Sequence, residues 1–452
     1  MARTNSWSRR SLIAPESFLE CLRYFLTPQV WKQAHQAIGP FRGSRWRPQA
    51  LLFVLLTLTW CWGESLPERF ETARAFYVAS YQKRRRPGQT SEGWQKALAR
   101  VPAAALRVVA AAVRSRLHQV FAHRLIVDGF IPLGCDGSRL QCPRSRELET
   151  RLQAGQDQRP PQVWVTAVVQ LSLGLLWSWR LGKGTASERN HLLHLVATLP
   201  RRALLVADAG YVGYELLEAL LRQRVAFLIR LSAAAPLYTP ERLARSRFRE
   251  GVLYYWPQWA QRHQQQPLRV RVLRLRSRGS EVWLMTSVLD PARLTRSTAS
   301  TFYRWRWRNE SLFRTYKRTL GKVKLTSRTI TMIHREAEGS LLAVQLLLAQ
   351  GALALPPRAA RPLQPSARQV LLEIRAEVRN VTGMYLGPRQ RQTYAERLRG
   401  ARRDSRRRRR NQVRRRWPGR ADHQPPRPPR ILKMGTNLKE LMAKTLHTAE
   451  AG

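Results

Sequence analysis

The sequence predicts an α/β protein. A mixed sheet flanked by helices is expected over residues 121–355, with a β-rich insertion at about 233–290. A helical domain (1–120) precedes it, a helical segment (356–396) follows, and a basic tail (397–452) ends the chain. Three observations carry this reading. From Leu125 onward, short apolar runs rich in β-branched residues alternate with stretches of helical periodicity. Before Leu125 only helical periodicity is found. From about Arg397 the chain becomes a block of like charge.

The N-terminal part opens with PESFLECLRYFLTPQVWKQAHQAI, apolar at helical spacing and broken at a proline. ALLFVLLTLTWCW (Ala50 to Trp62) is too short for a membrane span, which needs about 20 apolar residues, and reads as a buried helix. A basic loop, QKRRRPGQTSEG, ends in Thr90-Ser91-Glu92, a helix start. The helix after it carries arginines on an alanine-rich body. A helical module with basic loops suits reading a DNA groove and suits plain packing equally well.

The sheet begins with LIVDGFIPLGCDGS, which carries Asp136-Gly137-Ser138. VWVTAVVQLSLGLLWSWRLG (Val163 to Gly182) is a hairpin with its turn near Gly174. SERNHLLHLVATL starts a helix near Ser187. ALLVADAGY is a short buried strand ending at Asp208, GYELLEALLRQRV a helix, and AFLIRLS another strand. In this order Asp136 and Asp208 each close an apolar strand and precede small residues, the position at which open α/β sheets place their ligands.

VLYYWPQW, PLRVRVLRLR and EVWLMTSVL, separated by Arg- and Gln-rich loops, form the insertion. The stretch YRWRWRNESLFRTYK follows, a helix that Ser297, Thr298 or Ser300 can cap. At about 100° per residue it gathers Tyr303, Arg306, Glu310 and Lys317 on one face, with Arg314 beside them. That face holds one carboxylate among an excess of cations, the pattern for gripping an anionic polymer. A surface ion-pair ladder is the plain alternative. The helix EAEGSLLAVQLLLAQGALAL, closed by prolines, and a helix near Ser366 to Val381 come next. The tail, RLRGARRDSRRRRRNQVRRRWPGR followed by PPRPPR, reads as a disordered arm that clings to phosphates without reading sequence.

Composition narrows the function. Lys and Arg total 80 against 29 Asp and Glu, a formal charge of +51 over 452 residues. An excess of this size, spread along the chain, calls for a polyanionic partner, nucleic acid first. The four cysteines show no metal-site spacing, and with no signal peptide or membrane span the expected location is the cytoplasm of a bacterial-type host, on the nucleoid. Aspartates are few: besides Asp136 and Asp208 there are Asp128, Asp157, Asp290, Asp404 and Asp422.

Asp136, Asp208 and Glu310 are therefore the candidates for one centre. Three carboxylates converging from different elements can hold two divalent ions about 3.5 to 4 Å apart, the arrangement of phosphodiester chemistry, and hard oxygen ligands select magnesium or manganese. Taken singly, each acid has a plainer reading: Asp136 and Asp208 as turn residues before small neighbours, Glu310 as the ladder acid. His191 and His194 have no third partner and read as satisfied core or helix surface.

The chain resembles the DDE transposases of the insertion-sequence-four type. Their signature is Tyr, two residues, Arg, three residues, Glu, six residues, Lys, and Tyr303, Arg306, Glu310 and Lys317 match it without a gap. Asp136-Gly137-Ser138, Asp208-Ala209-Gly210-Tyr211 and TSVLD before the signature extend the match, over about Leu125 to Leu355. The resemblance implies a ribonuclease-H-like fold whose β-rich insertion lies between its last core strand and the helix bearing Glu310. It further implies that Asp136, Asp208 and Glu310 bind two Mg²⁺ ions, with Mn²⁺ as substitute, and that Tyr303, Arg306 and Lys317 hold the DNA backbone at a transposon end. Trp283 matches an aromatic that relatives use to stack a flipped base. Asn309 is a departure, standing where relatives carry an apolar residue.

The reaction so implied is hydrolysis at inverted-repeat ends in double-stranded DNA. The freed 3′-hydroxyl then attacks, across the duplex to a hairpin or directly at target DNA, within an end-paired homodimer. A ribonuclease-H-like nuclease or resolvase would share the three acids without needing the Tyr, Arg and Lys. A non-catalytic DNA-binding derivative would tolerate losing an acid.

Overall fold

The structure, a computed structural model, describes residues 17–41, 44–81, 86–153, 159–240, 248–277, 280–355, 364–383, 393–401 and 428–450. They form two compact units, one of 1–122, 140–162 and 313–406, the other of 123–139, 163–312 and 407–452.

The second unit is built on a ten-stranded sheet. In chain order the strands are β1 (Ile131–Gln141), β2 (Gln162–Gln170), β3 (Leu175–Lys183), β4 (Ala203–Ala207), β5 (Ala226–Arg230), β6 (Pro236–Thr239), β7 (Glu250–Tyr255), β8 (Leu268–Ser277), β9 (Ser280–Thr286) and β10 (Arg430–Lys433). Across the sheet they run β10-β6-β7-β8-β9-β5-β4-β1-β2-β3. In the half β3-β2-β1-β4-β5 of this mixed sheet, β2 and β3 are an antiparallel hairpin, while β1, β4 and β5 are parallel. Gly174, at φ +74°, makes the hairpin turn where the sequence placed it. β2 and β4 are buried along their whole length, as apolar strands covered on both faces should be.

The insertion extends this sheet, because β9 pairs antiparallel with β5 and β8, β7 and β6 follow outward from it. Its anchor is Arg271, 1% exposed, whose guanidinium donates to the carbonyls of Val288, Asp290 and Leu294 and pairs with Glu250 at 2.9 Å. Such a buried cation is tolerable only when fully partnered. The chain then enters the Arg296–Trp305 helix, which lies against β4 and β8. Its cap is Thr295, whose hydroxyl accepts from the Thr298 N–H, and not Ser297, Thr298 or Ser300.

The first unit is helical. The Pro48–Trp60 helix is buried from Ala50 to Trp60, as its unbroken apolar run requires, and the Ile330–Leu353 helix is buried from Ala337 to Ala352. They approach closely at Gly339, where a Cβ would stand 2.6 Å from Leu55. Residues 1–122 thus share one compact body with 140–162 and 313–406. Thr90 caps the Ser91–Ala99 helix as expected. Of the basic tail, 402–427 lie outside the described residues; Arg430–Lys433 is the strand β10, parallel to β6, and Thr436–Glu450 is a helix. Among the described residues, no helix is long and apolar enough to cross a membrane. The four cysteines are buried free thiols.

Candidate active site

The site lies where the pairing of β1 with β4 ends. Their parallel register runs from Ile131 opposite Ala203 to Gly134 opposite Val206. Asp136 lies two residues further along β1 and Asp208 one residue past the end of β4, so both acids stand at the same end of this strand pair. β1 itself continues to Gln141, so Asp136 sits within a strand and the turn reading of Asp136-Gly137 does not apply. What ends at this point is its neighbour: Asp208 caps the short Ala209–Tyr211 helical turn, its Oδ1 accepting from the Ala209 N–H at 2.9 Å.

The Oδ1 of Asp136 accepts from the Gly137 N–H at 2.9 Å, yet burial, followed by the like charges of Glu188 and Glu310, pushes its carboxyl up to about 6 against the pull of Gly137 and Arg306. Glu310 stands in the first turn of the Arg308–Arg314 helix. Asp208 is held by two guanidinium groups, Arg306 at 3.6 Å and Arg230 at 3.7 Å. Tyr303 completes this side: Arg306 lies over its ring at 5.5 Å, and burial, then Asp208, push its phenol up. The structure therefore brings Asp208, Arg306 and Tyr303 together, with Asp136 at the same end of the neighbouring strand and Glu310 bearing on it as a like charge.

It does not keep the signature on one helix. The Arg296–Trp305 helix ends with Arg306 as its C-cap, a new helix runs from Arg308 to Arg314, and a π turn covers Thr315–Thr319. The shared face deduced from a continuous helix is corrected accordingly. Tertiary contacts make the break: Arg308 donates to the carbonyls of Leu171 and Ser172 in the β2–β3 turn and lies over the Trp305 ring. Arg314 is exposed at the end of the second helix and Lys317 is half-buried in the π turn, its amine pulled down by burial. Both belong to the stretch 313–406 of the other compact unit.

Trp283 is 3% exposed. Phe248 stacks on it at 5.6 Å and 13°, the Arg274 guanidinium lies over it at 5.3 Å, and its indole N–H donates to Glu281. As arranged it is a packed strand aromatic, and a base can stack on it only after these neighbours leave.

The sequence reading passed over two residues here, Arg230 and Glu188, and met a third, Asn309, only as a departure from the family pattern. Arg230 ends β5, the strand next to β4. Asn309 is fully buried with neither amide atom partnered, packed where a Cβ on Gly134 would come within 2.6 Å of its Oδ1. Glu188, first residue of the Glu188–Leu195 helix, lies 2.7 Å from the place a Cβ on Gly137 would take. Its carboxyl is raised by burial and restrained by a hydrogen bond from Tyr211. A glutamate just after an N-cap serine is so common a helix start that nothing in the sequence marks it out. His191 is the satisfied core residue expected, at 3.0 Å from Thr166, its imidazole lowered to about 4 by burial; His194 is exposed. Asp128 accepts from Thr298 and Asp290 closes a turn onto Ala292.

Among the described residues, no group of three or more acids, histidines or cysteines is close enough together to hold a metal ion as placed. In kind, however, the donors fit one: all are hard carboxylate oxygens, Asp136 forms no ion pair among the described residues, and Asp208 is held by guanidiniums at more than 3.5 Å that an ion can displace.

Residues 135–346 match the family model described as a transposase DDE domain. Among solved structures, the chain is similar to the piggyBac transposase in its synaptic complex with hairpin DNA, at 10% identity and a TM-score of 0.41, over 83% of this chain and 82% of that one. No curated protein matches the chain.

Proposed function

We propose that this chain, with a match to the transposase DDE domain over residues 135–346, is a cut-and-paste DNA transposase that cleaves transposon ends and joins them to target DNA. The observation that carries this reading is the placement of Asp136 and Asp208 just beyond the end of the β1–β4 register, with Arg306 reaching Asp208. A packaging protein would need none of these acids inside a sheet.

Asp136, Asp208 and Glu310 would hold two divalent ions, magnesium with manganese as substitute. When bound, these supply an activated attacking oxygen and neutralise charge on the leaving one. Arg306 and Tyr303 orient the backbone at the transposon end. In doing so Arg306 exchanges the Asp208 carboxylate for a phosphate, to which a guanidinium binds at least as well. Lys317 and Arg314 add phosphate contacts from the segment that follows, positioning the duplex without reading its bases. Trp283 takes up a flipped base only in a rearranged insertion. The helical 1–120 part grips double-stranded DNA, the arginine-rich tail adds affinity that salt weakens, and two chains pair two ends. The protein works on the nucleoid in the cytoplasm.

The test is single-turnover cleavage, with Mg²⁺, of a labelled duplex carrying the inverted repeats that flank the reading frame. Release of a 3′-hydroxyl at the repeat end and its transfer to a second duplex support the reading; cutting without joining assigns a nuclease instead.

A further inference from the structure

The outer end of the insertion leaves one face of its sheet open, and the register fixes which side chains stand there. Leu432 of β10 lies opposite Tyr238 of β6, Tyr238 opposite Tyr254 of β7, and Tyr254 opposite Arg269 of β8. Residues paired in this way share a face, so the four form one row across four strands. On β6, β7 and β8 their sequence neighbours belong to the core: Leu237, Leu253, Tyr255, Leu268 and Val270 are buried. The row itself is open, with Leu432 and Arg269 exposed and both tyrosines partly so. Val252, two residues before Tyr254 and therefore on the same face, is 43% exposed. Two residues beyond Arg269 this face closes, where Arg271 is buried against Glu250 and the carbonyls of the chain that follows β9.

Charge decides what this patch fits. The acid that β7 places on the face, Glu250, is taken up by Arg271 at 2.9 Å and Arg296 at 3.3 Å. The cations there, Arg269 and the Arg430 of β10, are exposed, and the arginine-rich block directly precedes β10 in the sequence. A second copy of a chain with a formal charge of +51 brings like charge to this face, whereas a nucleic acid brings the opposite one. A duplex hides the flat sides of its bases and leaves the tyrosines unused. An unpaired strand offers both phosphates and bases, the combination that aromatic and cationic surfaces take. The row spans three inter-strand spacings, about 14 Å, room for the two or three bases that aromatics on a sheet can stack.

We propose that this face binds single-stranded DNA, with bases stacked on Tyr238 and Tyr254 and phosphates held by Arg269 and Arg430. A cut end supplies such a strand when its terminal base pairs open. Trp283 of the same insertion is covered by Phe248 and Arg274, so the two tyrosines offer the open aromatic surface that it does not. The proposal goes beyond the reading of the carboxylate centre and does not rest on it, because stacking needs no metal ion.

The experiment is fluorescence anisotropy of a labelled oligothymidylate, and of a duplex of the same length, with the full-length protein in EDTA. Salt at about 0.3 M weakens the phosphate contacts of the arginine-rich tail and lets stacking show. Tyr238→Ala/Tyr254→Ala is expected to bind the single strand at least about tenfold more weakly and the duplex as before. Tyr238→Phe/Tyr254→Phe keeps both rings and should bind both as the unaltered chain does. Arg269→Ala should weaken single-strand binding and flatten its dependence on salt. Thermal melting identifies a variant that fails to fold; if the alanine pair does, Tyr238→Leu/Tyr254→Leu, which keeps apolar bulk without the rings, carries the test with the same expected loss. Single-strand affinity unchanged in a folded variant without the rings overturns the proposal, as does an equal loss on the duplex. Loss of self-association alone, read by light scattering, assigns the face to a second copy and overturns it too.

Discussion

The guanidinium of Arg306 stands 3.6 Å from the carboxylate of Asp208, and it is itself only 11% exposed. A buried cation beside an acid of the centre occupies ground that either a metal ion or a phosphate can claim. Arg306→Ala is therefore expected to bind Mn²⁺ without DNA as tightly as the unaltered chain or severalfold more tightly. Its cleavage of transposon ends should fall about a hundredfold. Calorimetry and single-turnover cleavage separate the two effects; a parallel loss of both would show that Arg306 merely supports the fold.

Asp136 makes stability depend on pH. Its carboxyl is raised from the ordinary 3.8 to about 6, chiefly by burial. The protonated form is thus favoured by folding, and the stability it brings is complete below about pH 4 and is lost as pH rises through 6. Asp136→Asn, neutral throughout, should be more stable than the unaltered protein at pH 8 by about 1 to 2 kcal/mol after allowance for partial exposure. The gain should vanish near pH 4. Urea unfolding in EDTA at the two pH values checks the sign.

Gly134 and Asn309 form a steric pair. A Cβ at 134 would sit 2.6 Å from Asn309 Oδ1 and 2.8 Å from a Leu171 methyl, so Gly134→Ala should cost about 1 to 3 kcal/mol and reduce cleavage by moving the residue next to Glu310. Shortening the partner in Gly134→Ala/Asn309→Ala should return part of both. A double-mutant cycle read by thermal melting tests this, and strict additivity would contradict the contact.

For Trp283 the expected first effect of removal is structural. With Phe248, Arg274 and Glu281 packed on it, Trp283→Ala should lower stability by about 3 to 5 kcal/mol, measurable by urea unfolding before any DNA is added. A variant as stable as the unaltered chain would mean that the tryptophan is free for another use.

Much of this was legible from residues alone, and the exceptions share a cause. Asp136 and Asp208 could be read because each follows a short buried apolar run, although β1 continues past Asp136 to Gln141 where the sequence suggested a strand end. The hairpin turn at Gly174 and the caps at Thr90 and Ser187 are equally local. The break in the signature helix is not, since it depends on Arg308 binding carbonyls of a turn more than a hundred residues earlier. Glu188 and Arg230 are typical of their positions in any helix start or strand end; only the order β5-β4-β1 and the packing over Gly137 bring them to the centre. Trp283 shows the converse, a residue whose type and position fit a role while its surroundings fill it with neighbours.

The central claim is that Asp136, Asp208 and Glu310 act as one centre on DNA, and Glu310→Gln tests it most directly because the change removes a charge and little else. In single-turnover reactions with Mg²⁺ on a labelled inverted-repeat duplex, the variant should bind the end as the unaltered protein does. It should release 3′-hydroxyl product at least about a thousandfold more slowly, the scale of losing a group that acts only in the transition state. Release at the unaltered rate would contradict the account.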